Sequence, residues 1–217
     1  NKYKIVYNIY RGDFMKIEKL DKDNIKEYIR DMKITDISNV EENVGKLNEF
    51  GIRKDDKFIF SFFLSDNCIC ASFGNNKVDD NLVKEIFTFL NNNLSFDGHL
   101  LVQIVQTKIM DIMDSLYRIK DVSVSKKIKD ISLNSQMREK YAEIDMRSIK
   151  YFASKNDVFC NLYSQNIQDE EVIRKLDDYF IILDVGSISF TILPDSLSYL
   201  ESLGYKCDSK RYVINYE

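Results

Sequence analysis

Polar and apolar residues alternate along KYKIVYNIY (2–10) and again along FMKIEKL (14–20), the period of two expected of half-buried strands. Arg11-Gly12-Asp13 lies between them, and glycine supplies the backbone freedom a turn needs, so 2–20 is read as a hairpin. In DKDNIKEYIRDM the apolar positions Ile25, Tyr28, Ile29 and Met32 fall at helical spacing behind Asp and Asn capping candidates. Residues 33–54 are more polar, with a short helix expected around 40–49. KFIFSFFL (57–64) and CICASF (68–73) then read as strands joined by Ser65-Asp66-Asn67. A helix follows, opened by Asp79 or Asp80 and carrying Leu82, Val83, Ile86, Phe87, Leu90 and Leu94. LLVQIVQ (100–106) is a strand, Ile109, Ile112, Met113 and Leu116 mark a helix, and DVSVSKKI (121–128) is a strand.

The pattern changes over 132–156, which reads as mostly helical through Met137, Tyr141 and Ile144. A second block follows: strand 158–164, a helix from Asp169, strands FIILDV and ISFTIL around Gly186-Ser187, a helix after Pro194, and strand 211–216. The order predicts an α+β protein, with an antiparallel or mixed sheet, flanking helices and, as one option, two ferredoxin-like split βαβ halves. The spans 68–127 and 158–217 are similar in length and element content, which suggests a duplication, against the alternative of one continuous sheet. The division expected is 1–54 (hairpin and helix), 55–130 (first α+β unit), 131–157 (helical connector) and 158–217 (second unit).

Composition narrows the function. The 217 residues are 44% hydrophobic and 30% charged, ordinary for a globular chain, and the net charge of −4 argues against a strongly basic nucleic-acid binder. Four cysteines are too few for a disulfide framework and fit reduced thiols in the cytoplasm. No apolar run approaches the roughly 20 residues of a membrane span. The opening residues do not read as a signal peptide.

Candidate chemistry is sparse. Cys68 and Cys70 share one strand face, but a metal needs further converging ligands, and Cys160, Cys207 and the single His99 stand apart in sequence, so no metal is expected. Buried thiols behave as small apolar groups. Gly74-Asn75-Asn76 sits between a strand and a helix, where phosphate loops occur, yet neither GxGxxG nor GxxxxGK[ST] is present. Arg118, Lys120, Lys126 and Lys127 belong to the most basic stretch and are the candidate phosphate contacts for RNA or DNA. Solvated surface is the plainer reading of the same residues.

Two likenesses add to this. FIFSFFLSDNCICASF, DNLVKEIFTFLNNNL, LLVQIVQ and IMDIMDSLYRIKDVSVS, within 58–127, resemble a segment of uncharacterised bacterial proteins of anti-phage defence and mobile elements. That resemblance implies a role in defence or element maintenance, without catalytic residues. MKIEKLDKDNIKEYIRDM (15–32) and LSYLESLGYKCDSKRYVINYE (197–217) resemble the first strand and helix, and the closing helix and strands, of the GNAT N-acetyltransferases. That resemblance implies acetyl-coenzyme A as cofactor and Tyr199 as acid, beside the Leu203-Gly204-Tyr205 turn; the family's Q/R-x-x-G-x-G/A loop is missing. The leading expectation is a non-enzymatic cytoplasmic binding or scaffolding protein without cofactor, acting through a protein partner, self-association or nucleic acid, and away from membranes. The alternative is a GNAT-type acyltransferase or a degenerate relative.

Overall fold

The computed structural model describes residues 4–5, 15–44, 49–64, 68–95, 99–127, 149–153, 157–162, 174 and 187–214. The chain divides into two compact units: Asn1–Arg118 with Arg211–Glu217, and Ile119–Lys210. Both are mixed α+β, the class the sequence predicts.

The first unit contains β1 (Lys4–Ile5), β2 (Met15–Lys19), α1 (Ile25–Asp31), α2 (Ile37–Asn43), β3 (Glu49–Lys54), β4 (Lys57–Leu64) and β5 (Ile69–Ser72). It continues with α3 (Asp80–Asn93), β6 (Leu94–Ser95), β7 (Leu100–Ile104) and α4 (Thr107–Leu116). Its strands lie in the order β2-β3-β4-β5-β7 and then the end of β12 (Lys206–Ile214), the last strand of the chain. Neighbours are antiparallel from β2 to β5, whereas β5 and β7 are parallel. The expected 2–20 hairpin is corrected: Lys4–Ile5 pairs with Leu94–Ser95, and Met15–Lys19 pairs with β3.

The run FIFSFF shows why apolar residues crowd β4. The register with β3 slips between Ile52 and Arg53, which face Phe60 and Phe58 respectively. The extra residue, Ile59, turns Phe58 and Phe60 to opposite sides of the sheet. Phe58 meets Tyr28 of α1 edge-on at 5.7 Å, within a core of Leu20, Ile25, Tyr28 and Met32. Phe60 meets Phe87 of α3 at 5.8 Å and Phe73 at 4.8 Å. Both faces of the strand are therefore covered by helix, and a period-two pattern would not survive there. In α3 the Asp79 side chain accepts from the Leu82 N–H at 2.9 Å, and Val83, Ile86, Phe87 and Leu90 are buried at helical spacing.

The second unit contains β8 (Arg118–Lys127, past its first residue), β9 (Ile149–Ala153), β10 (Asp157–Leu162), β11 (Ser187–Ile192), a 3₁₀ turn (Pro194–Ser196) and α5 (Leu197–Ser202). The order is the first residues of β12, then β8-β11-β10-β9. β9 and β10 are antiparallel, β10 and β11 parallel, and β11 and β8 antiparallel. The expected helical connector is corrected at its end: Ile149–Ala153 is a strand, since IKYFA carries β-favouring Ile, Tyr and Phe and pairs along β10. The helix expected from Asp169 and the strand FIILDV fall outside the described residues, apart from Arg174.

The connectivity repeats. A hairpin (β4-β5, β9-β10) leads across to a strand parallel to its second arm (β7, β11), then a helix (α4, α5), then a long strand (β8, β12). The repeat is local too. Ser115 Oγ donates to the Ile112 carbonyl at 2.7 Å ahead of Leu116-Tyr117-Arg118, and Ser202 Oγ donates to the Tyr199 carbonyl at 2.6 Å ahead of Leu203-Gly204-Tyr205-Lys206. The parallel strands are direct neighbours in each unit, without the intervening strand of the split ferredoxin form.

Candidate active site at the ends of the parallel strands

In open sheets, ligands bind beyond the carboxyl ends of parallel strands, where backbone groups lose their ladder partners. Among the described residues each unit shows such a pair of ends: residues 72–74 and 104–106 in the first, and 162 and 192–194 in the second.

In the first unit the ends are tied together. Pairing of β5 with β7 stops at Ala71 and Ile104. Beyond it the Gln106 side chain takes over. Its Oε1 accepts from the Phe73 N–H at 2.9 Å, and its Nε2 donates to the Gly74 carbonyl at 2.7 Å. One amide thus does what the next residue of a neighbouring strand would do. Gly74 has φ +58°, and its N–H donates to Ser72 Oγ at 3.2 Å. Asn75 binds the end of α1 twice, its N–H to the Met32 carbonyl at 2.9 Å and its Nδ2 to the Lys33 carbonyl at 2.7 Å. Asp79 and Asp80 add two carboxylates at the start of α3.

A coenzyme A diphosphate needs free N–H donors and positive potential. Here the N–H groups of Phe73, Gly74 and Asn75 are all committed within the protein, and the nearby helix start is acidic. These residues do not fit the group. Gln106 was not singled out in the sequence. Its signal was a polar residue directly after a buried strand, at a helix start where the side chain makes no cap.

In the second unit the residues following β11 are Leu193 and Pro194, and neither has a side-chain amide. Leu193 is 37% exposed, as Val105 is 60% exposed directly after β7. Tyr199 lies on α5, which begins five residues past the end of β11, and its side chain is half-buried. Gly204, at φ +88°, closes that helix and turns the chain into β12.

The other candidates are placed as follows. Cys68 is buried and Cys70 half-buried in the first unit. Hydrogen bonding to Cys68 and burial hold the Cys70 thiol well above its ordinary pKa, against the pull of Arg211, so it stays protonated and is a poor nucleophile or ligand. Its Sγ donates to Gln103 Oε1 at 3.4 Å. Cys160 and Cys207 belong to the second unit. His99 is exposed ahead of β7. Among the described residues no group of three or more His, Cys, Asp or Glu could hold a metal, and no helix is long and apolar enough to cross a membrane. Arg118 and Lys120 are exposed, while Lys126 is half-buried; the side chain of Lys127 lies outside the described residues. The Lys126 ammonium lies 5.2 Å from the centre of the Tyr205 ring.

No protein-family model matches the sequence, and no curated protein matches it. Solved structures do resemble it. A candidate acetyltransferase from Pyrococcus horikoshii is 10% identical with a TM-score of 0.42, over 97% of this chain and 92% of the other. A GCN5-related N-acetyltransferase from Kribbella flavida is 8% identical at 0.35, over 93% and 70%. A GNAT-family acetyltransferase from Colwellia psychrerythraea is 9% identical at 0.34, over 92% and 100%. The expected non-enzymatic scaffold serving defence or nucleic-acid binding is corrected by this finding, since these structures carry acetyltransferase descriptions. With TM-scores below 0.5, the functional argument rests on the chain's own residues.

Proposed function

We propose that the protein is an acyltransferase of the N-acetyltransferase type, moving an acyl group from acyl-coenzyme A to an amine, with its working end in the second unit. The observation that carries this is Tyr199, a phenol on the helix that follows the second strand of the parallel pair β10–β11. A phenol O–H there is a proton donor for a leaving group held at the strand ends. The likeness of 197–217 to the closing helix and strands of these enzymes points to the same tyrosine. Acyl-coenzyme A would supply a thioester already activated toward amines. Tyr199 would supply a proton at its hydroxyl.

Titration calorimetry of the whole chain with acetyl-coenzyme A, paired with a thiol-release assay over a panel of small amines, tests the proposal. Binding and amine-dependent thiol release are expected. Tyr199→Phe should lower kcat by roughly a hundredfold and leave KM near its original value. Absence of both heat and thiol release in the unaltered protein would overturn it.

A further inference from the structure

We infer that Gln106 is a built-in occupant that closes the ends of the parallel strands β5 and β7 to an acyl donor. Three independent sets of contacts support this. The Gln106 amide occupies both an N–H and a carbonyl beyond the last β5–β7 pair, at Phe73 and Gly74. A ligand reaching for those two backbone groups would have to displace the Gln106 amide. The following loop is fastened to the end of α1 through Asn75. Gly74 packs so tightly there that a Cβ would come within 2.2 Å of the Met32 carbonyl oxygen. The closure stands on the first unit's contacts and is independent of the acyl-transfer proposal.

Residue-resolved amide hydrogen exchange on the full chain tests it. The Phe73 N–H should be protected in the unaltered protein and should exchange roughly tenfold faster or more in Gln106→Ala, which removes its partner. The Asn75 N–H, bonded to Met32, is the internal reference. Gln106→Glu, which keeps the acceptor and loses the donor, is the second variant. Addition of acetyl-coenzyme A to the unaltered protein should leave exchange across 72–77 unchanged. An unprotected Phe73 N–H in the unaltered protein would overturn the closure whatever the variants do. So would slowing of exchange across 72–77 by acetyl-coenzyme A. Protection over 187–202, or none anywhere, bears on acyl transfer and leaves the expected result at 72–77 as it stands.

Discussion

The Arg53 guanidinium lies 3.9 Å above the centre of the Phe58 ring and is only 8% exposed. It is held there by three acceptors: Glu18 at 2.7 Å, Glu27 at 2.5 Å and the Asp56 carbonyl at 2.9 Å. The bulge in β4 makes the arrangement, because it sets Arg53 opposite Phe58 and turns both toward α1. The planar fork can satisfy two carboxylates and a carbonyl while lying flat on a ring, which lysine cannot do. Arg53→Met should therefore destabilise the first unit by roughly 2–3 kcal/mol. The lower end is expected, since Glu27 is half-exposed and regains water. Arg53→Lys should fall between the two. Urea unfolding of the three proteins checks the order.

The same cluster sets an acid limit. Burial works to raise the Glu18 carboxyl, and hydrogen bonds from Lys16 and Arg53 outweigh it, so its pKa lies below the ordinary 4.5. A lowered folded pKa contributes stability that is present above the unfolded value and is lost as pH falls through the folded one. Glu18→Gln should flatten the decline in stability below pH 4.5, measured as the urea midpoint against pH.

Glu49 has the opposite sign. Burial at the start of β3 raises its pKa above 4.5. Its contribution is then fully present below the unfolded pKa and is lost as pH rises through the folded one. Glu49→Gln should raise the urea midpoint at pH 7 and change it little at pH 4. A larger gain at pH 4 than at pH 7 would contradict the assignment.

Tyr212 is fully buried, and its hydroxyl lies 2.8 Å from the Asp114 carboxylate and 3.2 Å from the Met110 carbonyl, fixing the end of β12 to α4. Tyr212→Phe keeps the ring and removes the donor, at an expected cost of about 1.5–3 kcal/mol because the acceptor is charged. Asp114→Asn, which keeps an acceptor oxygen, should cost less in the same denaturant titration.

Gly74→Ala combines a left-handed backbone with a clash against main chain. Its φ of +58° disfavours a side chain, and the Met32 oxygen stands 2.2 Å from where the Cβ would be. About 2 kcal/mol or more of stability should be lost, well beyond the ordinary cost of replacing a glycine. Thermal unfolding checks this.

By itself the sequence determined the elements whose apolar residues repeat at one period and whose ends carry their own chemistry. α3 is the clear case, with Asp79 capping Leu82 and a buried stripe at Val83, Ile86, Phe87 and Leu90. The mixed α+β class followed from the succession of such elements. The tandem resemblance of the two blocks was visible in their order, and the Ser-Leu…Tyr-Arg/Lys stretches before β8 and β12 were a sharper signal left unread. The tertiary structure alone decided the partners. Lys4–Ile5 alternates as well as any hairpin arm but finds Leu94–Ser95, because period two sets which face is buried and says nothing about which strand lies alongside. IKYFA lies in a stretch whose pattern predicts helix, and it is a strand because β10 offers its backbone a ladder. Gln106 shows the same limit at the candidate site. A lone amide side chain has four hydrogen-bonding directions, and only the ends of two strands brought together from 33 and 32 residues away tell it to hold Phe73 and Gly74.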